Sequence, residues 1–325
     1  MIKLLSQILI IASISGLVPV DAAQLEYHAG AGGGLEQGLL PVFSQEELFS
    51  SLPVADERPI DYPVKVDKDS YGIVTTAKSA LVMDVDSGMM MYAKRPQQIR
   101  SIGSVTKLMS ALIFLDQNPV LSRVVQLDSD QDLVYGGRIY LNFNDGISLE
   151  DLLGASLVGS DNSATKSLAR FVDLTEEDFV AKMNEKAREL GMVNTRFADL
   201  TGLDAGNVST THDLTKLLIA AESEVIVKKY MQSPAITVRQ SSGTSIQIDN
   251  TNATLKSYLN EGDFSIEAGK TGFLPQAGYV LATIVGEGDH RIFVVVLGAD
   301  SAEDRFVEVK GLSSWAFKTF KWPEE

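Results

Sequence analysis

The sequence predicts an α+β fold: one antiparallel sheet made from strands at both ends of a domain, with a helical lobe inserted between them. Three observations predict it. Ala80–Val85 and Met89–Ala93 are apolar runs joined by Asp86-Ser87-Gly88, a hairpin signal. Between Ser104 and Met231 the apolar spacing is helical, with capping residues ahead of most runs. From Ile236 onward the pattern returns to strands, ending in two alternating or fully apolar runs before a last helix.

Taken in order, residues 1–22 read as a secretory signal peptide. Lys3 precedes a mostly apolar stretch, and Val20-Asp21-Ala22 offers small residues where a peptidase would cut. An uncleaved anchor is the other reading, although the apolar stretch is short for a span. Residues 23–72 read as a flexible linker, with the glycine run 30–34 at its centre and a short helix over Phe43–Leu52. That glycine run lacks the Lys-Ser/Thr and the leading strand of a phosphate loop. The folded domain is expected over residues 73–322.

Inside it, a helix is expected from Ser104 to Leu115, with Pro119 closing its exit. Ser148 caps Leu149–Val158, and a further helix follows from Ser163 to Phe171. Thr175 opens a capping box before Glu176–Leu190, which Gly191 stops. Thr210 caps Thr211–Ser223, and a short helix follows over Val225–Met231. Ile236–Val238 and Ser245–Ile248 flank Ser242-Gly243. Gly278–Val285 and Arg291–Leu297 flank Gly286–Asp289, and the last helix spans Ala302–Thr319.

Composition excludes several classes of function. A net charge of −15 over 325 residues opposes nucleic-acid binding, which needs a basic face. The absence of cysteine removes disulfides, thiolate zinc sites, iron–sulfur clusters and cysteine nucleophiles. Three histidines, His28, His212 and His290, make a histidine-rich metal site a poor reading. No cofactor is implied.

The chemistry-bearing feature is Ser104-Val105-Thr106-Lys107 at the head of the first helix. Residues three apart share a helix face, so a nucleophile meets a possible base there. The pattern alone is cheap: Ser163 and Lys166 repeat it. What raises the first copy is its company, Ser160-Asp161-Asn162 and then Lys270-Thr271-Gly272. That ordered triple is shared by penicillin-binding proteins and class A β-lactamases. Taken singly, Ser104 could be a helix cap, Ser160 and Asn162 turn formers, and Lys270-Thr271-Gly272 a strand end.

The chain resembles the D-alanyl-D-alanine carboxypeptidases, the low-molecular-mass penicillin-binding proteins, over about residues 73–320. Beyond the triple, the resemblance is carried by Asn184–Leu190, Gly191-Met192, Asn194–Phe197, Gly202-Leu203-Asp204, Ser209–Leu214, Leu297-Gly298, Arg305 and Trp315-Ala316-Phe317. It implies a β-lactamase/transpeptidase-like fold and a serine D,D-peptidase acting on peptidoglycan stem peptides in the periplasm or outside the cell, with β-lactams as covalent inhibitors. Ser104 would be acylated and Lys107 would take its proton, its pKa lowered by burial and by Lys270. Ser160 would relay the proton to the leaving amine, while Asn162 would hold Lys107 and donate to the substrate backbone. Lys270 and Thr271 would recognise a terminal carboxylate, with Arg305 a further candidate, and Gly272 would let the substrate lie along the strand. The N–H groups of Ser104 and Phe273 would form the oxyanion hole.

A β-lactamase relative would need a carboxylate to activate water, and no Glu-x-x-Leu-Asn segment stands between Asn162 and Lys270. The chain looks like the short, anchor-free, endopeptidase-like members, so no stable membrane anchor is expected after signal cleavage. Carboxypeptidase and endopeptidase remain open, as does an inactive peptidoglycan-binding module. A glutaminase of the same superfamily is disfavoured by the signal segment and by Lys270-Thr271-Gly272.

Overall fold

The computed structural model describes residues 62–323. The expected signal, most of the linker, the Phe43–Leu52 helix and His28 lie outside the described residues. The folded body begins earlier than residue 73. Strand β1 (Val64–Lys65) pairs antiparallel with the last strand, β13 (Phe320–Lys321), and Ser70 Oγ accepts a hydrogen bond from Trp315 Nε1 at 2.7 Å. Val64, Lys65 and Ser70, which fall in the expected linker, thus have backbone and indole partners in the folded body.

The hairpin forms as expected from β2 (Ser79–Asp84) and β3 (Met90–Lys94). After β4 (Arg100–Ser101), a single 3₁₀ turn over Gly103–Val105 leads into helix α1 (Thr106–Asp116). Strands β5 (Val124–Gln126) and β6 (Gly146–Ser148) pair around the short α2 (Ser129–Asp132). Helices α3 (Leu149–Val158), α4 (Asn162–Arg170) and α5 (Glu176–Glu189) follow. Strand β7 (Val208–Ser209), which pairs with β4, precedes α6 (Thr211–Ser223) and α7 (Val225–Gln232). Ser148, Asp161, Thr175 and Thr210 all cap through their side chains, each accepting a backbone N–H of the first turn.

Strands β8 (Ala235–Arg239) and β9 (Ser245–Asp249) form a separate two-stranded hairpin. They do not join the main sheet. Ile236 lies instead against Gly154 of α3, where a side chain at residue 154 would collide with it. The main sheet is completed by β10 (Phe264–Leu274), β11 (Gly278–Glu287) and β12 (His290–Ala299), in the order β10-β11-β12-β2-β3, antiparallel throughout. Helix α8 (Asp304–Thr319) closes the domain.

The sheet thus joins strands from both ends of the chain, with the helical lobe between them, as the sequence predicts. Strand β12 explains why its run is apolar throughout rather than alternating. Ile292, Val294 and Val296 face the core under α8, with Val309, Leu312 and Ala316. Phe293, Val295 and Leu297 face the other core, shared with α1 and α6. A strand covered on both faces must be apolar at both parities, and each buried side chain contributes about 1.5–3 kcal/mol. Helix α1 is buried from Thr106 through Phe114, so it is the central helix of the lobe.

Candidate active site

The sheet's β10 edge meets the lobe along a cleft. Ser104, Ser160, Asn162, Thr271, Gly272, Phe273 and Arg305 line it. Lys107 and Lys270 lie beneath that lining, 0% and 2% exposed. The structure therefore brings together Ser104, Lys107, Ser160, Asn162, Lys270, Thr271, Gly272, Phe273 and Arg305, the candidate site residues of the sequence.

Ser104 sits in the 3₁₀ turn, and neither that turn nor α1 has a side-chain cap. Its hydroxyl faces Lys107 instead, with Nζ 2.9 Å from Ser104 Oγ. The same amine lies 2.6 Å from Asn162 Oδ1 and 2.5 Å from the carbonyl oxygen of Thr201. Asn162 opens α4, and Asp161 caps that helix through Ala164 N–H. Ser160 has φ +59°, an uncommon conformation for a residue with a side chain. Its hydroxyl accepts from Lys270 Nζ at 3.0 Å.

Gly272 is required for a different reason from the one its sequence suggested. A Cβ there would run into the carbonyl oxygen of Ile102, in the turn that carries Ser104. A Cβ at Gly103 would come within 2.9 Å of Phe273 N. The strand and the serine turn thus pack backbone to backbone. The Phe273 ring stacks on Tyr279, with centroids 4.4 Å apart. Arg305 lies 5.6 Å from the Tyr279 ring centre and donates to the Gly272 carbonyl at 3.1 Å.

The decoys separate cleanly. Ser163 Oγ accepts from Val134 N–H, and Lys166 pairs with Glu176 at 3.4 Å. His212 Nδ1 is 3.9 Å from Asp213, too far for a hydrogen bond, and Asp213 instead accepts from Asn194 N–H and Thr195 Oγ1.

A sequence profile described as D-alanyl-D-alanine carboxypeptidase matches residues 66–301. The chain belongs to this family. It is a serine peptidase, a hydrolase of the D-alanyl-D-alanine carboxypeptidase family, with the penicillin-binding-protein fold. A D-alanyl-D-alanine endopeptidase of Pseudomonas aeruginosa is 32% identical over 82% of this chain and 86% of its own length. One from Escherichia coli is 32% identical over 73% of this chain and 76% of its own. Among solved structures, the Streptomyces K15 DD-transpeptidase matches with a TM-score of 0.71 and 26% identity, over 77% of this chain and all of its own. Penicillin-binding protein D2 from Listeria monocytogenes, in its cefotaxime-bound form, matches with a TM-score of 0.65 and 28% identity, over 76% of this chain and 100% of its own.

The electrostatics of this family member's cleft depart from the sequence expectation in one respect. Burial lowers the Lys107 pKa to about 7, against the raising effect of Asp161 and Asp199. Lys270 is not among the causes. Lys270 is itself lowered, first by burial and then by the positive charges of Lys107 and Arg305. Burial also brings Arg305 down, to about 10.

Four contributors escaped sequence reading. Thr251 Oγ1 accepts from Thr271 Oγ1 at 2.7 Å, and Tyr279 forms the platform between Phe273 and Arg305. The Gly136–Arg138 segment rims the cleft, with Gly137 packed closely against the Asn162 amide. The fourth, the Thr201 carbonyl, stands beside the Gly202-Leu203-Asp204 run that the family resemblance had drawn attention to.

Proposed function

We propose that this family member cleaves D-alanyl-D-alanine-type bonds in peptidoglycan stem peptides through an acyl-enzyme on Ser104, with Lys107 as the base. The observation that carries this reading is the set of partners around Lys107 Nζ. Two of them, Asn162 Oδ1 and the Thr201 carbonyl, can only accept. A neutral amine has two N–H groups and one lone pair. With both N–H groups donated to those oxygens, the lone pair remains for the Ser104 hydroxyl proton.

Ser104 Oγ attacks the scissile carbonyl carbon as its proton moves to Lys107 Nζ. The N–H groups of Ser104 and Phe273 stabilise the developing oxyanion, each contributing on the order of 3 kcal/mol. The C–N bond then breaks, and the proton passes by way of Ser160 to the departing amine. Water repeats the sequence on the Ser104 ester and restores the hydroxyl. Thr271 and Arg305 hold the substrate's terminal carboxylate over the potential of Lys270, and a bound carboxylate favours the charged form of that lysine. The Asn162 amide N–H₂ donates to the substrate backbone.

Penicillins enter the same route as inhibitors. Among the described residues no Asp or Glu lines the cleft, so none of them corresponds to the carboxylate that drives deacylation in a class A β-lactamase. Peptidoglycan as substrate implies export, with residues 1–22 as a cleaved signal and a periplasmic or secreted product with a part in cell-wall organisation and cell shape. Among the described residues, no helix is long and apolar enough to cross a membrane. Between exo and endo action, the endopeptidase names of the two relatives favour crosslinks as the substrate. Digestion of purified peptidoglycan, with products identified by mass, tests this. Monomeric stems released from crosslinked dimers support endopeptidase action and free D-alanine supports carboxypeptidase action. Release of neither product would refute the catalytic reading and favour a binding module.

A further inference from the structure

Asp199 lies outside all three motifs, in the chain between α5 and β7. Its carboxylate accepts hydrogen bonds from the backbone N–H groups of Thr201 (3.0 Å), Gly202 (2.6 Å), Leu203 (3.1 Å) and Asp204 (2.9 Å). It also accepts from Thr201 Oγ1 at 3.2 Å and Asn207 Nδ2 at 2.8 Å. Six donors converging on one carboxylate wrap the chain into a tight turn around a fixed anion.

That turn meets the nucleophile's helix at three points. The Thr201 carbonyl takes the hydrogen bond from Lys107 Nζ. Ser110 Oγ of α1 donates to the Leu200 carbonyl at 2.6 Å. Gly202, at φ +89°, lies so close to the serine turn that a Cβ would come within 2.8 Å of Ser104 N. Asn207 ties the other end, its carbonyl accepting from Ile102 N–H at 3.0 Å.

We propose that Asp199 is a positioning residue for Lys107: it shapes the turn whose Thr201 carbonyl takes one amine hydrogen and so aims the lone pair at Ser104. This rests on Lys107 being the base. The charged groups facing Lys107 are Asp161 from the cap of α4, Asp199 from this turn and Lys270 from β10. Asp161 and Asp199 favour the protonated amine and oppose the stronger effect of burial. Asp199 therefore couples geometry to charge, which a simple turn former does not.

The test follows acylation by a fluorescent penicillin across pH, in the wild type and in Asp199→Asn, Asp199→Glu, Thr201→Val and Lys107→Ala. Asp199→Asn lowers the plateau rate on the order of tenfold through lost positioning. It also moves the acidic limb down on the order of 0.5 pH unit, because a charge that favoured protonation is gone. Asp199→Glu restores the charge without the geometry, so the limb returns to the wild-type position while the plateau stays low. Thr201→Val removes one of the six donors and keeps the charge: the plateau falls several-fold and the limb does not move. Wild-type acylation by Lys107→Ala would remove the base assignment and this proposal with it. A dead Lys107→Ala beside Asp199→Asn or Thr201→Val variants with wild-type plateau and limb would overturn the Asp199 proposal alone.

Discussion

Lys107 Nζ lies 2.9 Å from Ser104 Oγ and is 0% exposed. A buried ammonium without a counter-ion in contact is costly, and the group responds by neutralising near neutral pH. The geometry that pairs hydroxyl and amine is thus also the environment that neutralises the amine, as the proposed role of base requires.

The first prediction follows from sign. Below a pH of about 7 Lys107 gains its proton and loses the lone pair. The rate of Ser104 acylation should fall about tenfold per pH unit there. A second limb comes from Lys270, whose pKa is also lowered, first by burial and then by the charges of Lys107 and Arg305, and which attracts the substrate carboxylate only while charged. Stopped-flow acylation by a chromogenic β-lactam measures both limbs. A profile rising only above about pH 9 would mean that Lys107 keeps the ordinary lysine range.

Asn162→Ala should cost on the order of 10²-fold in acylation rate, because one of the two acceptors that orient Lys107 is lost along with a donor to the substrate. Its thermal midpoint should change much less than its rate. Comparable losses in both would make Asn162 a structural residue of α4.

Arg305→Gln should raise KM by about 10- to 100-fold, with kcat within a few-fold. The guanidinium reaches the cleft from α8, held on Tyr279 and the Gly272 carbonyl, and the carboxylate contact proposed for it would be made in ground state and transition state alike. Tyr279→Leu should show a weaker version of the same pattern. A fall confined to kcat would assign Arg305 to the chemical step instead.

Gly202→Ala should cost about 1–2 kcal/mol from its left-handed backbone alone, and the collision with the Gly103 carbonyl adds to that. Both thermal stability and acylation should drop, since the displaced backbone is the turn that carries Ser104. A neutral substitution would show that this turn has room for a side chain and does not hold the Ser104 backbone.

Much of this was legible in the sequence where one side chain does one job. Ser148, Thr175 and Thr210 announced their helices because each really is a cap, and β11 and β12 announced themselves as paired strands through apolar runs around Gly286–Asp289. The proposed nucleophile, Ser104, was legible only through its companions, since Ser163 and Lys166 have the same spacing and point elsewhere. The Thr201 contact is made by a backbone carbonyl, which carries no residue signature. Thr251 and Tyr279 enter the site through hydrogen bonding and strand pairing that no local pattern encodes. The β8–β9 hairpin read correctly as two strands, but its place against α3 rather than in the sheet depends on Gly154 leaving room for Ile236.

The central claim is an acyl-enzyme on Ser104, and mass spectrometry of the intact protein after brief exposure to benzylpenicillin tests it most directly. A single adduct of penicilloyl mass should appear, persist after free drug is removed, map to the peptide containing Ser104 and be absent from Ser104→Ala. An adduct on another residue, or penicillin hydrolysed with no adduct accumulating, would contradict it.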